Sequence, residues 1–334
     1  MNRRLQLRHV AAETVSVLPD LLAQLAGFDA AESTLYHLKD LAPLDPNDCP
    51  GIAFPSGNPL AGQKGTRIRV YNKDTFDTAL QLQPGTNYTT VHPSQGAPAS
   101  SDGQEKADEG DTPAKMTDSN PADPSSSPPQ QPLKPVCVLN LASEKHAGGG
   151  WLNGALAQEE ALCYRSSLSL SLHKTYYPLP TLSAIFSPSV LLLRTSLSSG
   201  HTLLHPWDPV ASLPITSVIS VAGLRHPAVT SEGKFKDDVN RETTKSKIRL
   251  TLRVAAREGH RKLVLGALGC GVFGNPSGEV AECFLEVLRE EEFQGGWWED
   301  VVFAILDNVR GAEGGKDGSG NYGVFYRALD GQVV

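Results

Sequence analysis

Apolar residues fall along this chain in two rhythms: short unbroken runs, and longer stretches with helical spacing. Segment 136–142 (VCVLNLA) is an unbroken run of strand length, and 190–194 (VLLLR), 217–222 (SVISVA), 262–268 (KLVLGAL) and 301–306 (VVFAIL) repeat it. Runs this apolar suit strands covered on both faces of a mostly parallel sheet. Helix-compatible stretches lie between them at 155–172, 234–258 and 279–292. In the last, Val280, Cys283, Phe284, Val287 and Leu288 make one apolar stripe and leave Glu282, Glu286 and Arg289 to solvent. This alternation predicts a three-layer α/β/α domain around a mixed, mostly parallel sheet. Ligands of such sheets gather beyond the carboxyl ends of the strands.

The chain divides at 84–135. Within that span 93–132 (PSQGAP…PPQQP) has no aromatic residue and almost nothing large and apolar. Burial there cannot offset the entropy of ordering, so the whole span is expected to be a disordered low-complexity insertion. Residues 1–83 form an N-terminal region packed on the main domain, 136–334. Its segment 9–25 is helix-compatible, with Pro19 expected to break or start an element. RIRVY (67–71) alternates like a strand, and 74–82 suits a helix.

Composition narrows the functional classes. The 334 residues carry a net charge of -7. A protein that grips a polyanion by counterion release is normally basic, so direct DNA binding is not expected. An anionic ligand must be held locally, by backbone N–H groups and a few side chains. No apolar stretch approaches the length of a membrane span. Arg3, Arg4 and Arg8 precede the first acid, Glu13, with no apolar leader behind them; a transit-type leader stays open. Five scattered cysteines without a CxxC pair suit a reducing nucleus or cytosol.

Two loops carry chemistry. The first follows 136–142: Asn140 and Ala142 at the strand end, then Gly148, Gly149 and Gly150, then Gln158, Glu159 and Glu160 at the head of a helix. Three glycines permit positive φ and close approach of a ligand to the backbone. Acids at a helix start also serve as plain caps. Successive helical residues point about 100° apart, so only one of the two glutamates can aim fully into a cleft. The second loop follows 262–268 and runs Gly269, Cys270, Gly271, Val272, Phe273, Gly274, Asn275. Its glycine spacing matches a dinucleotide fingerprint, but no acid ends the next strand at the distance that fold needs to hold a ribose. It reads as a diphosphate cradle.

Together the loops resemble a known family. VLNLASEKHAGGGWLNGALAQEEALCYRSSL is similar to the signature of the microbial-type poly(ADP-ribose) glycohydrolases, a branch of the macrodomain superfamily. LVLGALGCGVFGNPSGEVAECF resembles the family's phosphate loop, and RIRVYNKDTFDTA its N-terminal region. The family commonly has Asn-Pro before the triplet, where this chain has His146-Ala147. The resemblance implies a macrodomain fold, a monomer acting on ADP-ribose and on poly(ADP-ribose) chains of modified proteins, and no metal or cofactor. It implies Glu160 as catalytic acid and Glu159 as its support at the terminal ribose. Asn140 would hold ribose hydroxyls at the strand end. Gly148 to Gly150 would line the distal ribose and phosphate with their exposed N–H donors, and Ala142 and Gln158 would also contact the substrate. Residues 269–275 would wrap the diphosphate, with Phe273 against the distal part of the ligand. Cleaving a ribose–ribose bond needs a proton on the leaving oxygen, which a glutamic acid supplies if its pKa stands above the usual value of about 4.3.

Two other readings share these residues: a macrodomain that only binds ADP-ribose, and a hydrolase of an ADP-ribosyl–protein or acyl ester linkage. A pure reader has no need of both acids. Cys270 in its glycine loop invites a nucleophile reading, but no histidine partner is indicated and a small side chain alone accounts for it. His201 and His205 have a chelating spacing with no third ligand evident, which favours loop packing. Trp297 and Trp298 read as anchors of the sheet edge, and 311–323 as a glycine-rich mobile connection at the rim of the site.

Overall fold

A computed structural model describes residues 2–92 and 133–334. The strands are β1 (Thr34–His37), β2 (Ile68–Tyr71), β3 (Cys137–Ala142), β4 (Ser183–Leu191), β5 (Ile215–Ala222), β6 (Lys262–Leu265) and β7 (Asp300–Ala304). They form one sheet in the order β1-β4-β5-β3-β6-β7-β2. From β5 to β2 all neighbours are parallel, while β4 and β1 are antiparallel additions at one side. The parallel strands therefore bring five carboxyl ends to one edge.

Residues alternate across β3, and each face has its own core. Val138 packs with Leu7 and Ala11 of helix α1 (Arg3–Leu22), Phe76 and Ala79 of α2 (Thr75–Leu82), and Leu162 of α4 (Gln158–Arg165). Leu139 packs with Ile248 of α6 (Asp238–Arg257), Phe284 of α7 (Ser277–Leu288) and Phe325 of α8 (Asn321–Leu329). The expected stripe of α7 is fully buried at Val280, Cys283, Phe284, Val287 and Leu288. Each such side chain contributes roughly 1.5–3 kcal/mol of transfer free energy. Trp297 and Trp298 are buried in the same core beside Phe293, at the start of β7.

The bases of α6 are consumed internally. Arg249 forks onto Glu290 at 2.7 and 2.8 Å, and Arg253 onto Glu292 at 2.8 Å through each of two nitrogens. Among the described residues no helix is long and apolar enough to cross a membrane.

Several elements depart from the pattern-based expectation. Helix α1 begins earlier, capped by the Asn2 side chain, and continues through Pro19. Pro19 lies in its last turn, and the buried stripe Leu7, Ala11, Thr14, Leu18 and Leu21 holds the helix to the domain. The expected helix at 155–172 is two, α4 and α5 (Leu168–Ser171). Ser166 turns extended because it bridges to Leu192, and the Ser167 hydroxyl accepts from the Leu191 N–H. Strand β4 starts well before its apolar run: Pro188 interrupts the pattern, and a register shift between Ser187 and Val190 absorbs it. Short β1 gave no signal.

Of the expected insertion, 84–92 is ordered and carries helix α3 (Tyr88–Val91), whose Tyr88 is buried; residues 93–132 lie outside those described. The 311–323 stretch is folded about Asp307, whose carboxylate accepts the Gly315 N–H at 2.7 Å, and it runs directly into α8.

Candidate active site

The site is built where β6 stops early. β6 pairs with β3 only at Cys137 and Val138. Beyond that point the Gln158 side chain takes the missing strand's place. Its Nε2 donates to the Leu139 carbonyl at 2.7 Å and its Oε1 accepts from the Leu141 N–H at 2.8 Å. The amide thus satisfies two buried backbone groups and bolts the head of α4 to the sheet.

That bolt fixes the two glutamates. Glu159 accepts from the Ser143 N–H at 2.7 Å, and Nδ2 of Asn140 approaches its other oxygen at 3.4 Å. Glu160 accepts from Gly150 N–H and Ala157 N–H, each at 2.9 Å. The N–H of Gly149 goes to the His146 carbonyl, and that of Gly148 to Glu159. The glycine triplet therefore holds the carboxylates. The expectation that it presents free donors to ribose and phosphate gives way to a cradle for the acids.

Gly149 shows how tight this cradle is. It sits at φ +59°, and an added Cβ would collide with Oε1 of Glu160 and lie 3.0 Å from Oε2 of Glu159. Gly149→Ala is expected to cost about 1 kcal/mol in backbone strain. It should lower turnover at least about tenfold by displacing the acid; steady-state kinetics and urea unfolding measure the two effects. Wild-type turnover in this variant would mean the carboxylates do not need this geometry.

Burial pushes the Glu159 carboxyl up to about 8, and the adjacent Glu160 adds to this. Hydrogen bonds from Ser143, Asn140 and Gly148 pull the other way. Glu159 is thus protonated in the fold at neutral pH but ionised in the unfolded chain above about 4.3. Its contribution to stability is whole below that unfolded value and is lost as pH rises toward 8. The Glu159→Gln protein cannot titrate there. Relative to it, the wild type should lose about 1 kcal/mol per pH unit through this window, as urea midpoints at several pH values would show. A constant difference between the two proteins would refute a neutral Glu159.

A cavity of about 580 Å³ opens at the strand ends. Ala142, Gly223, Gly269, Gly271, Val272 and Phe273 wall one side. Ala157, Gln158 and Ala161 of the α4 region face Lys73, Asp74 and Thr75 at the head of α2, and Ile305, Asp307 and Asn321 close the far side. The glutamates stand directly behind the Ala142 and Ala157 wall, with Glu160 retaining 9 % exposure.

In the second loop, the N–H groups of Gly271, Val272 and Phe273 make no hydrogen bond among the described residues. Three consecutive free donors on a cavity wall form an anion nest. Phe273 is steadied by Arg225, whose guanidinium lies 5.2 Å from the ring centroid. Gly274, at φ +67°, turns the chain back.

Other expected site residues have different tasks. Asn140 is fully buried, with Nδ2 on Ser220 Oγ at 3.0 Å, so it stands behind Glu159 instead of reaching a ribose. Asn275 staples the loop through the carbonyls of Leu224 (2.6 Å) and Gly269 (3.0 Å). Cys270 faces inward, and burial pushes its thiol far above the ordinary value, which leaves no thiolate for catalysis. His146 is exposed, and its N–H is held by Ser143 Oγ at 3.2 Å. His205 sits in an exposed turn near the Asp208 carbonyl, while His201 is buried at the cavity.

The pattern passed over Gly223, whose added Cβ would lie 2.7 Å from Gly269 Cα. It also passed over Asp74, Thr75, Asp307 and Asn321, because single polar residues after strands carry no spacing signal.

A mixed sheet of this order, with glycine loops from β3 and β6 around one cleft at its carboxyl edge, defines a macrodomain-like α/β protein. The family model of the microbial-type PARG catalytic domain matches residues 31–195. The chain is similar to the crystal structure of poly(ADP-ribose) glycohydrolase (PARG) from Thermomonospora curvata, at 25% identity over 97% of this chain and 99% of that one, TM-score 0.61. It is similar to the Thermomonospora curvata enzyme bound to the inhibitor ADP-HPD, at 25% identity over 96% and 98% of the two chains, TM-score 0.61. A third similar structure is PARG from Deinococcus radiodurans in complex with ADP-ribose, at 26% identity over 93% and 98%, TM-score 0.57. No curated protein sequence matches the chain. Residues 31–195 thus match the microbial-type PARG family, and nearly the whole chain is similar to bacterial PARG structures.

Proposed function

We propose that this protein is a poly(ADP-ribose) glycohydrolase that cleaves ribose–ribose O-glycosidic bonds and releases ADP-ribose. The observation that carries the reading is the Glu159–Glu160 pair, locked by backbone N–H groups behind the wall of a cavity that also presents an anion nest. At about 580 Å³ the cavity is of the size that takes a nucleotide-like ligand. The structures bound to ADP-ribose and to ADP-HPD, in chains that align nearly end to end with this one, support the same substrate.

The chemistry follows from the geometry. The diphosphate rests on the N–H groups of Gly271 to Phe273, which sets the terminal ribose against the carboxylates. As the C1–O bond breaks, Glu160 gives its proton to the leaving ribose oxygen, and positive charge develops on the ring. Water attacks C1 and returns a proton to Glu160. Glu159, neutral at pH 7, adds no second negative charge beside the diphosphate, and it offers both a donor and an acceptor to ribose hydroxyls. The substrate in this reading is a chain carried on a modified protein, and the acting unit is the monomer.

The test is to incubate the purified protein with an automodified poly(ADP-ribose) polymerase, without added metal, and quantify free ADP-ribose. Release is the expected result. Tight binding of ADP-ribose without release would make the protein a reader and overturn the proposal.

A further inference from the structure

The bases of α6 are held by carboxylates, but one arginine at the carboxyl edge of the sheet has no such partner. Arg225 lies just beyond the end of β5. It is exposed and makes no hydrogen bond or ion pair among the described residues. Its guanidinium is nonetheless held in one place, 5.2 Å from the centroid of the Phe273 ring. Phe273 lines the cavity and Arg225 does not, so the cation stands outside the cleft, behind that ring.

The next residue fixes this placement. The His226 N–H donates to the Phe273 carbonyl at 2.9 Å, and the His226 ring meets the Phe273 ring edge-on, with centroids 6.4 Å apart. His226 adopts φ +48°, unfavourable by about 1 kcal/mol or more for a residue with a Cβ. Backbone strain and a ring contact thus preorganise an unpaired cation in a chain whose net charge is -7.

The topology places that cation relative to the substrate. β3 and β5 are parallel neighbours that end level, with Ala142 opposite Ala222. The loop that bears Arg225 therefore leaves the sheet beside the loop that cradles Glu159 and Glu160. The anion nest belongs to β6, on the other side of β3. With the diphosphate of the terminal unit on the nest and C1 of its ribose at Glu160, the bond to be cut leads away from the nest. The chain on the far side of that bond carries a diphosphate of its own.

We propose that Arg225 binds the diphosphate of the leaving chain, as a substrate-binding residue for the penultimate ADP-ribose unit. The inference rests on the proposed function. A guanidinium grips phosphate oxygens through two parallel N–H···O bonds, and one already stacked on a ring loses little freedom in doing so. A contact of this kind between exposed charges weakens as salt rises.

Steady-state kinetics on poly(ADP-ribose), beside calorimetry with ADP-ribose, test this at about 50 and about 500 mM salt. Arg225→Met keeps an unbranched apolar stem on Phe273 and removes the charge. At low salt its KM for polymer should rise about fivefold, with kcat unchanged and the Kd of ADP-ribose within about twofold of wild type. At high salt the two proteins should converge to within about twofold. Arg225→Lys, which restores the charge without the fork, should recover part of the low-salt KM. An unchanged KM at low salt overturns this inference alone. So does an equal loss for polymer and ADP-ribose, which would put Arg225 on the terminal unit, or a loss that salt leaves undiminished, which would make it a support for Phe273. A wild type that binds ADP-ribose but releases none from polymer removes the proposed function and this inference with it.

Discussion

The Glu160→Gln protein should bind ADP-ribose about as tightly as the wild type and release it from polymer about a thousandfold more slowly. The figure is what loss of a general acid typically costs, roughly 10²–10⁴. Glutamine keeps the size of the side chain but has no proton to give to a departing ribose oxygen. It also offers one acceptor where glutamate offers two. Gly150 N–H and Ala157 N–H both need acceptors, so one of them will face the new NH₂ group. A stability loss of about 1–3 kcal/mol is therefore expected alongside the kinetic one. Unfolding curves must accompany the assay, with turnover measured well below the transition. Glu159→Gln separates the roles: it removes a group that is already neutral, so its turnover should fall less, mainly through KM. Equal turnover in Glu160→Gln and wild type would end the assignment of Glu160 as the acid.

The repeating strands and the site loops were legible in the sequence for different reasons. β3 and β5, together with α7, announce themselves because burial on one or two faces dictates the residue pattern, and no later contact changes it. The Gly148–Gly150 and Gln158–Glu160 spacing was legible because backbone conformation and carboxylate placement each need particular residue types. The glycines' task was not legible. Whether their N–H groups meet a ligand or hold Glu159 and Glu160 depends on the turn at His146, which is set by Ser143 Oγ. Gln158 likewise reads as a helix-start residue, and only the early end of β6 turns it into a surrogate strand. Pro19 and the Ser166–Ser167 break fall on the same side of this line. Local propensity spoke for an interruption in the first case and for continuity in the second, and packing against Arg194 and β4 decided otherwise.

Arg165→Met should destabilise the fold by about 3 kcal/mol, the largest loss expected from any single surface-neutral substitution near the site. Arg165 ends α4 and is 2 % exposed. Its guanidinium forks onto Asp74 and onto Asp77, the latter at 2.7 Å, donates from Nε to the Arg194 carbonyl at 3.2 Å, and lies 5.6 Å from the Phe76 ring centroid. Asp74 is at the same time the N-cap of α2, accepting from Phe76 N–H at 2.9 Å, and part of the cavity wall. One cation thus ties the end of the helix that carries Glu159 and Glu160 to the start of the helix whose head lines the cavity. Removing one partner of a buried pair typically costs 3–5 kcal/mol because the other charge is stranded. Here the acids are 16 % and 33 % exposed, so water will recover part of that cost. Lysine should not rescue the position, since a point charge cannot reproduce the planar fork. Urea unfolding measures the stability, and the ADP-ribose Kd of the folded protein measures whether α2 and α4 have drifted apart. A loss under about 1 kcal/mol with unchanged affinity would show that the apolar layer around Phe76 and Leu162 holds this corner by itself, and that Arg165 is only a tenant in it.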